Sequence, residues 1–242
     1  MFGYYPHMAY GHGSFLPLII FGAVALLSWI VQSSLQSKFR KYSQIPTNNG
    51  MTGKQVAEKM LRDFGIYDVK VISTPGQLTD HYNPTDKTIN LSDVVYATNS
   101  IAAAAVAAHE TGHAVQHATA YAPLQLRSKL VPAVSFASKW VQWILLGGIL
   151  LINTFPQLLL GGIILFAATT IFSIITLPVE VDASRRALSW LETSGITSYD
   201  TQNDAKDALK SAAYTYFVAA LSSLATLFYY VMIFMGGRRS NN

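Results

Sequence analysis

The sequence predicts a mainly α membrane protein with about four transmembrane helices and a small cytoplasmic α+β domain. Three observations carry that prediction. Hydrophobic residues make up 51% of the 242 residues and charged residues only 12%, too few to cover a soluble surface. Phe15 to Val31 and Trp143 to Pro178 contain no Lys, Arg, Asp or Glu, which is the mark of membrane segments. The polar stretch between them instead carries short helix-like and strand-like patterns punctuated by Gly, Pro and Asn.

Taken in order, residues 1–14 form an extracytoplasmic tail whose only titratable side chains besides tyrosine are His7 and His12, read as part of a flexible tail rather than a metal site. Residues 15–35 are the first span. Because no basic n-region or cleavage site accompanies it, it reads as a retained anchor and not a signal peptide. Residues 36–130 form the α+β domain. Within it Thr52 caps a helix through Phe64, ended by Gly65, with Val56, Met60, Leu61 and Phe64 on its buried face. Val69 to Ser73 alternates as a strand, and Leu78 to Tyr82 and Thr88 to Leu91 read as a hairpin around Asn83 to Lys87.

Residues 131–177 are a transmembrane hairpin, with spans at about 131–152 and 158–177 joined by a turn at Asn153 to Gln157. Pro132 places the entry of the earlier span at the interface, and Lys139 must snorkel or line a protein cavity. Gly147-Gly148 and Gly161-Gly162 allow close packing, either within the hairpin or between chains, so a homo-oligomer or an accessory membrane protein stays open. A cytoplasmic helical segment (178–213), a last span (214–235) and a tail (236–242) complete the chain.

The basic residues orient these spans. Lys38, Arg40, Lys41, Arg127, Lys129, Arg185, Arg186, Lys206 and Lys210 fall on one side of a four-span layout. Of 17 Lys and Arg, only Arg238 and Arg239 fall on the other. The positive-inside rule therefore puts the domain in the cytoplasm and both termini outside, in a multi-pass protein of the cell membrane. The net charge of +4 reflects this topology and lipid contact, and no pattern of nucleic-acid binding is present.

The most informative residues are His109-Glu110-Thr111-Gly112-His113, in an alanine-rich run that Asn99 or Ser100 can cap. On a helix the two histidines lie one turn apart, so their rings converge on one metal while Glu110 points at the adjacent water as a general base. That is the layout of a zinc hydrolase with one Zn2+ per chain. The chain has no cysteine, so the third ligand must be His, Asp or Glu. Glu180 is the candidate, because Glu58 lies on a charged helix face and Glu192 at a helix end. Two membrane crossings also return the chain at Glu180 to the side of His113. Asp182 either steers a ligand histidine or pairs with Arg185. His117 is one turn too far along the same helix to complete a tetrahedron, and serves orientation or packing. His81 either stabilises an oxyanion or caps the hairpin.

Three stretches resemble the YugP-type neutral zinc metallopeptidases of bacterial membranes: Asp80 to Ser92, Ala107 to His117, and Val179 to Ala187. More distantly, the order of parts is similar to the HtpX and CAAX prenyl endopeptidase families. The resemblance implies a zincin-like domain of the gluzincin type, with His109, His113 and Glu180 as ligands and Glu110 as base. Those families place an aspartate four residues after the glutamate ligand, where this chain has Ser184 and carries its aspartate at 182.

The expected activity is hydrolysis of peptide bonds in membrane or membrane-proximal proteins, with an extended substrate added to the hairpin edge at Thr88 to Leu91. Two other classes are compatible with the residues. One is a non-catalytic adaptor stabilised by zinc; the other is a zinc-dependent hydrolase of lipids or esters.

Overall fold

The computed structural model describes residues 15–239. The tail with His7 and His12 and residues 240–242 lie outside the described residues. The elements are α1 (Leu16–Tyr42), α2 (Gly53–Asp63), β1 (Lys70–Thr74), β2 (His81–Asn83), β3 (Thr88–Ser92), α3 (Asp93–Ala97), α4 (Ile101–Ala118), α5 (Ala122–Leu150), α6 (Pro156–Thr193) and α7 (Tyr199–Arg239). The protein is thus mostly helical with one small sheet. Among the described residues α1, α5, α6 and α7 are long and apolar enough to cross a membrane.

Each of these helices is longer than the apolar run that announces it. α5 begins at Ala122, α6 continues through Pro178 to Thr193, and α7 starts at Tyr199 and reaches Arg239. The apolar run covers only part of each helix, and the helical hydrogen-bond ladder continues beyond it. Lys139 lies on the exposed face of α5. α6 packs against both α5 and α7, and α7 packs in turn against α1. The α5–α6 hairpin is close because Gly148 lets Leu159 in: a Cβ there would lie 2.5 Å from the Leu159 Cα. Gly162 likewise accepts Leu145 across the hairpin, whereas Gly161 faces open space.

In the domain, Thr52 and Gln55 form a reciprocal capping box on α2, and Gly65 turns the chain at φ +72°. Val56, Ala57, Met60 and Leu61 are buried, but Phe64, expected on that face, is 45% exposed because it stands at the C-cap where the helix face ends. The sheet order is β1-β3-β2, with β1 parallel and β2 antiparallel to β3. The expected hairpin forms, with Asn83 Oδ1 accepting the Thr85 N–H at 2.9 Å in its turn, but its first strand is limited to residues 81–83.

β3 is the central strand, paired on both sides from Thr88 to Asn90, so it has no free edge for a substrate there. The edges belong to β1 and β2, and β2 is the one that packs against α4. The core gathers Met60, Ile89, Leu91 and the alanine face of α4, and it is completed by Ala187, Trp190 and Leu191 of α6 and Leu209 of α7. The membrane helices therefore supply part of the polar domain's own core.

Candidate metal centre

The centre is built on α4. Ser100 caps it, its hydroxyl accepting the Ala103 N–H at 3.2 Å. One turn apart, the rings of His109 and His113 stand edge to face with centroids 4.8 Å apart. α6 then crosses at Gly112, where a Cβ would lie 2.7 Å from the Ala183 carbonyl oxygen, so only glycine permits this approach. The crossing carries Glu180, 2% exposed, to the histidines. Its Oε2 lies 3.2 Å from His109 Nε2 and 3.6 Å from His113 Nε2.

The three residues can hold a metal ion, with one donor atom from each lying within 4.8 Å of the others. Zinc fits this set. A tetrahedral ion with bonds of about 2.0–2.1 Å holds neighbouring donors about 3.3 Å apart, close to the two spacings found, and two imidazoles with one carboxylate are borderline donors of the kind zinc accepts.

Each histidine is fixed through its other ring nitrogen. His109 Nδ1 lies 3.1 Å from Ser184 Oγ, and His113 Nδ1 lies 3.1 Å from Gln116 Oε1. Gln116, fully buried, donates from Nε2 to the Val179 carbonyl at 2.8 Å and to Asp182 Oδ2 at 3.0 Å. Asp182 is paired in addition with Arg186 at 2.6 Å and with Arg185. Arg127 of α5 approaches Glu180 Oε1 at 3.5 Å, and the Tyr216 phenol of α7 stands beside the same carboxylate. Burial pushes the His113 imidazole down, but the Glu180 and Glu110 carboxylates next to it outweigh burial and raise it above its ordinary value.

A cavity of about 470 Å³ opens onto this group, lined among others by Glu110, His113, Glu180, Arg127, Tyr216 and the β2 residues His81 and Tyr82. The Tyr82 N–H donates to Glu110 Oε2 at 3.0 Å, locking the glutamate against the sheet edge. His81 lines the cavity and bonds the Thr79 carbonyl through Nδ1 at 2.7 Å, so it braces the strand while facing the site. His117 is held 2.8 Å from the Tyr82 hydroxyl and stands apart from the three-residue group.

The structure thus brings His109, Glu110, His113 and Glu180 together. It places Asp182 one residue removed from a histidine, acting through Gln116 as well as pairing with Arg185. Sequence reasoning missed Gln116, Arg127 and Tyr216. Gln116 carries a local signal, three residues after His113 on the same helix face. Arg127 and Tyr216 carry none, since each arrives on a different membrane helix.

Residues 17–235 match the family described as "Putative neutral zinc metallopeptidase". The chain belongs to this family. It is also 44% identical over 226 residues to a Bacillus subtilis (strain 168) protein named "Putative membrane protease YugP", covering 93% of this chain and all of that one. No solved structure matches. With its four candidate spans, this family member is a membrane protein.

Proposed function

We propose that this family member is a zinc metalloendopeptidase of the gluzincin type, with a zincin-like domain that cuts membrane or membrane-proximal proteins at the cytoplasmic face. His109, His113 and Glu180 hold one Zn2+, and Glu110 is the general base. The reading is carried by one observation: three donors lie within 4.8 Å of one another, and two of them, His113 and Glu180, line a cavity with a glutamate fixed by a strand N–H. The family's description and the name of the Bacillus relative support a protease.

Bound zinc would lower the pKa of a water toward about 7 and polarise the scissile carbonyl. The remaining work falls to the chain. With Nε2 of each histidine turned to the ion, Ser184 and Gln116 accept from the Nδ1–H groups and fix the tautomers. Tyr82 occupies Glu110 Oε2, leaving Oε1 to take a proton from water and return it to the leaving amine. Tyr216 and Arg127, which stand beside Glu180 and line the same cavity as Glu110, are the donors available to steady developing negative charge on the carbonyl oxygen. An extended substrate lies along β2, the edge strand against α4, in place of β3. The basic residues flanking the spans support the cytoplasmic orientation.

Elemental analysis of the detergent-solubilised protein tests the site. About one zinc per chain is expected, lost in His113→Ala and Glu180→Ala. Glu110→Gln should keep the zinc and lose cleavage by about 10²–10⁴-fold. A Glu110→Gln variant that still performs the protein's role points to the adaptor. Loss of activity in Glu110→Gln combined with indifference to proline at His81 points to a lipid or ester hydrolase.

A further inference from the structure

A second cavity, of about 540 Å³, lies between α6 and α7 on the side of the domain. Its walls carry Arg185, Lys206 and Lys210 against a single acidic residue, Glu192, and its floor is apolar, formed by Val181, Leu209 and Ala213. We propose that this cavity binds the phosphate headgroup of an anionic phospholipid from the adjoining leaflet. The proposal rests on the protein being in a membrane and not on its being a protease.

The cations are available. Lys206 and Lys210 are exposed, and neither makes an ion pair among the described residues; Lys210 instead lies 5.7 Å from the Tyr214 ring. Arg185 is bonded to Asp182 through one nitrogen, but its side chain is 78% exposed and keeps further donors in its planar fork. Three positive groups around one acid in a space of ligand size form a site for a phosphate.

Depth separates a lipid from a soluble anion. At a rise of about 1.5 Å per residue, Lys210 stands about 6 Å above the apolar run that opens at Tyr214, and Arg185 about 12 Å beyond Leu177. A headgroup layer is about 5–7 Å thick on each side of the hydrocarbon, so Lys210 is rooted within it, while Lys206 and Arg185 are rooted above it and reach a phosphate at its outer edge with their long side chains. Val181, apolar yet 57% exposed, continues the floor towards the spans, where glycerol and acyl carbons would lie. Basic pockets between membrane helices recognise anionic headgroups by this combination. Ser184, bonded to His109, is on the same wall, so the lipid would press against the metal centre from behind.

The test uses the full chain in nanodiscs of phosphatidylcholine with or without phosphatidylglycerol, followed by native mass spectrometry. Wild type should retain one phosphatidylglycerol, and Lys206→Gln/Lys210→Gln should retain it about 30-fold less well. Inorganic phosphate at millimolar concentration should not displace it. Wild-type retention by the lysine variant overturns the proposal, and so does displacement by inorganic phosphate, which would mean a soluble-anion site. Should the lysine variant melt below wild type in phosphatidylcholine alone, Ala213→Trp decides, since it fills the floor with every charge intact: loss of the lipid supports the proposal and retention overturns it.

Discussion

Ser184 Oγ stands 3.1 Å from Nδ1 of His109, one helical turn along α6 from Glu180. One turn of one helix therefore brings both a carboxylate and a hydroxyl to the two ring nitrogens of His109. The short, neutral serine reaches the ring because Gly112 lets α6 lie against α4.

Removing that hydroxyl frees the ring. Ser184→Ala should weaken zinc binding by about 10–100-fold, measured by competition with a chelator, and Ser184→Asp should restore it. Unchanged zinc affinity in Ser184→Ala would exclude an orienting role.

Gly112→Ala tests the crossing itself. A methyl group 2.7 Å from the Ala183 carbonyl oxygen must push backbone and not a pliable side chain. The expected cost is roughly 1–3 kcal/mol of stability, with zinc content lost while membrane insertion is retained. A variant that binds zinc at the wild-type level would show that the helices separate without opening the site.

The clasp between α2 and α6 is sensitive to acid. Asp63 accepts from Lys59 at 2.7 Å and from the Trp190 indole at 3.0 Å. The lysine, working against burial and aided by the indole, holds the Asp63 carboxyl below its ordinary value. A folded-state pKa below the unfolded one stabilises the fold above the unfolded value of about 3.9, and this is lost as pH falls through the lower folded value. Asp63→Asn should therefore lower the melting temperature near pH 7 by no more than about 2–4 °C, since the pair is partly exposed, and the gap should close below about pH 4. A gap independent of pH would assign the effect to packing.

Because the chain has no cysteine, orientation can be read from single introduced thiols. Thr85→Cys, exposed in the β2–β3 turn, should react with a membrane-impermeant maleimide only once the cytoplasmic side is opened. Labelling of intact cells would reverse the proposed topology.

The parts of this architecture that the sequence announces are those written in local spacing. His109 and His113 declare themselves by their four-residue interval, Thr52 by its capping box, and the spans by their lack of charge. Glu180 could be reached by elimination because glutamates are scarce and the crossings even in number. What escaped depends on distant partners. Nothing local marks Thr88 to Leu91 as a central strand, because the pairing with β1 is set by the fold around it. Phe64 fits the apolar face by periodicity, but its helix ends one residue too early to bury it. Arg127 and Tyr216 look like ordinary boundary residues until α5 and α7 are placed on either side of α6.

The continuity of α6 also fixes an order of events during synthesis. His109 leaves the ribosome 71 residues ahead of Glu180, and α5 and the larger part of α6 lie between them. A nascent domain thus displays His109, Glu110 and His113, but lacks Glu180 and the part of its core that comes with α6. The three-residue group is complete only once α6 has been made, so a chain that stalls before residue 180 never carries it.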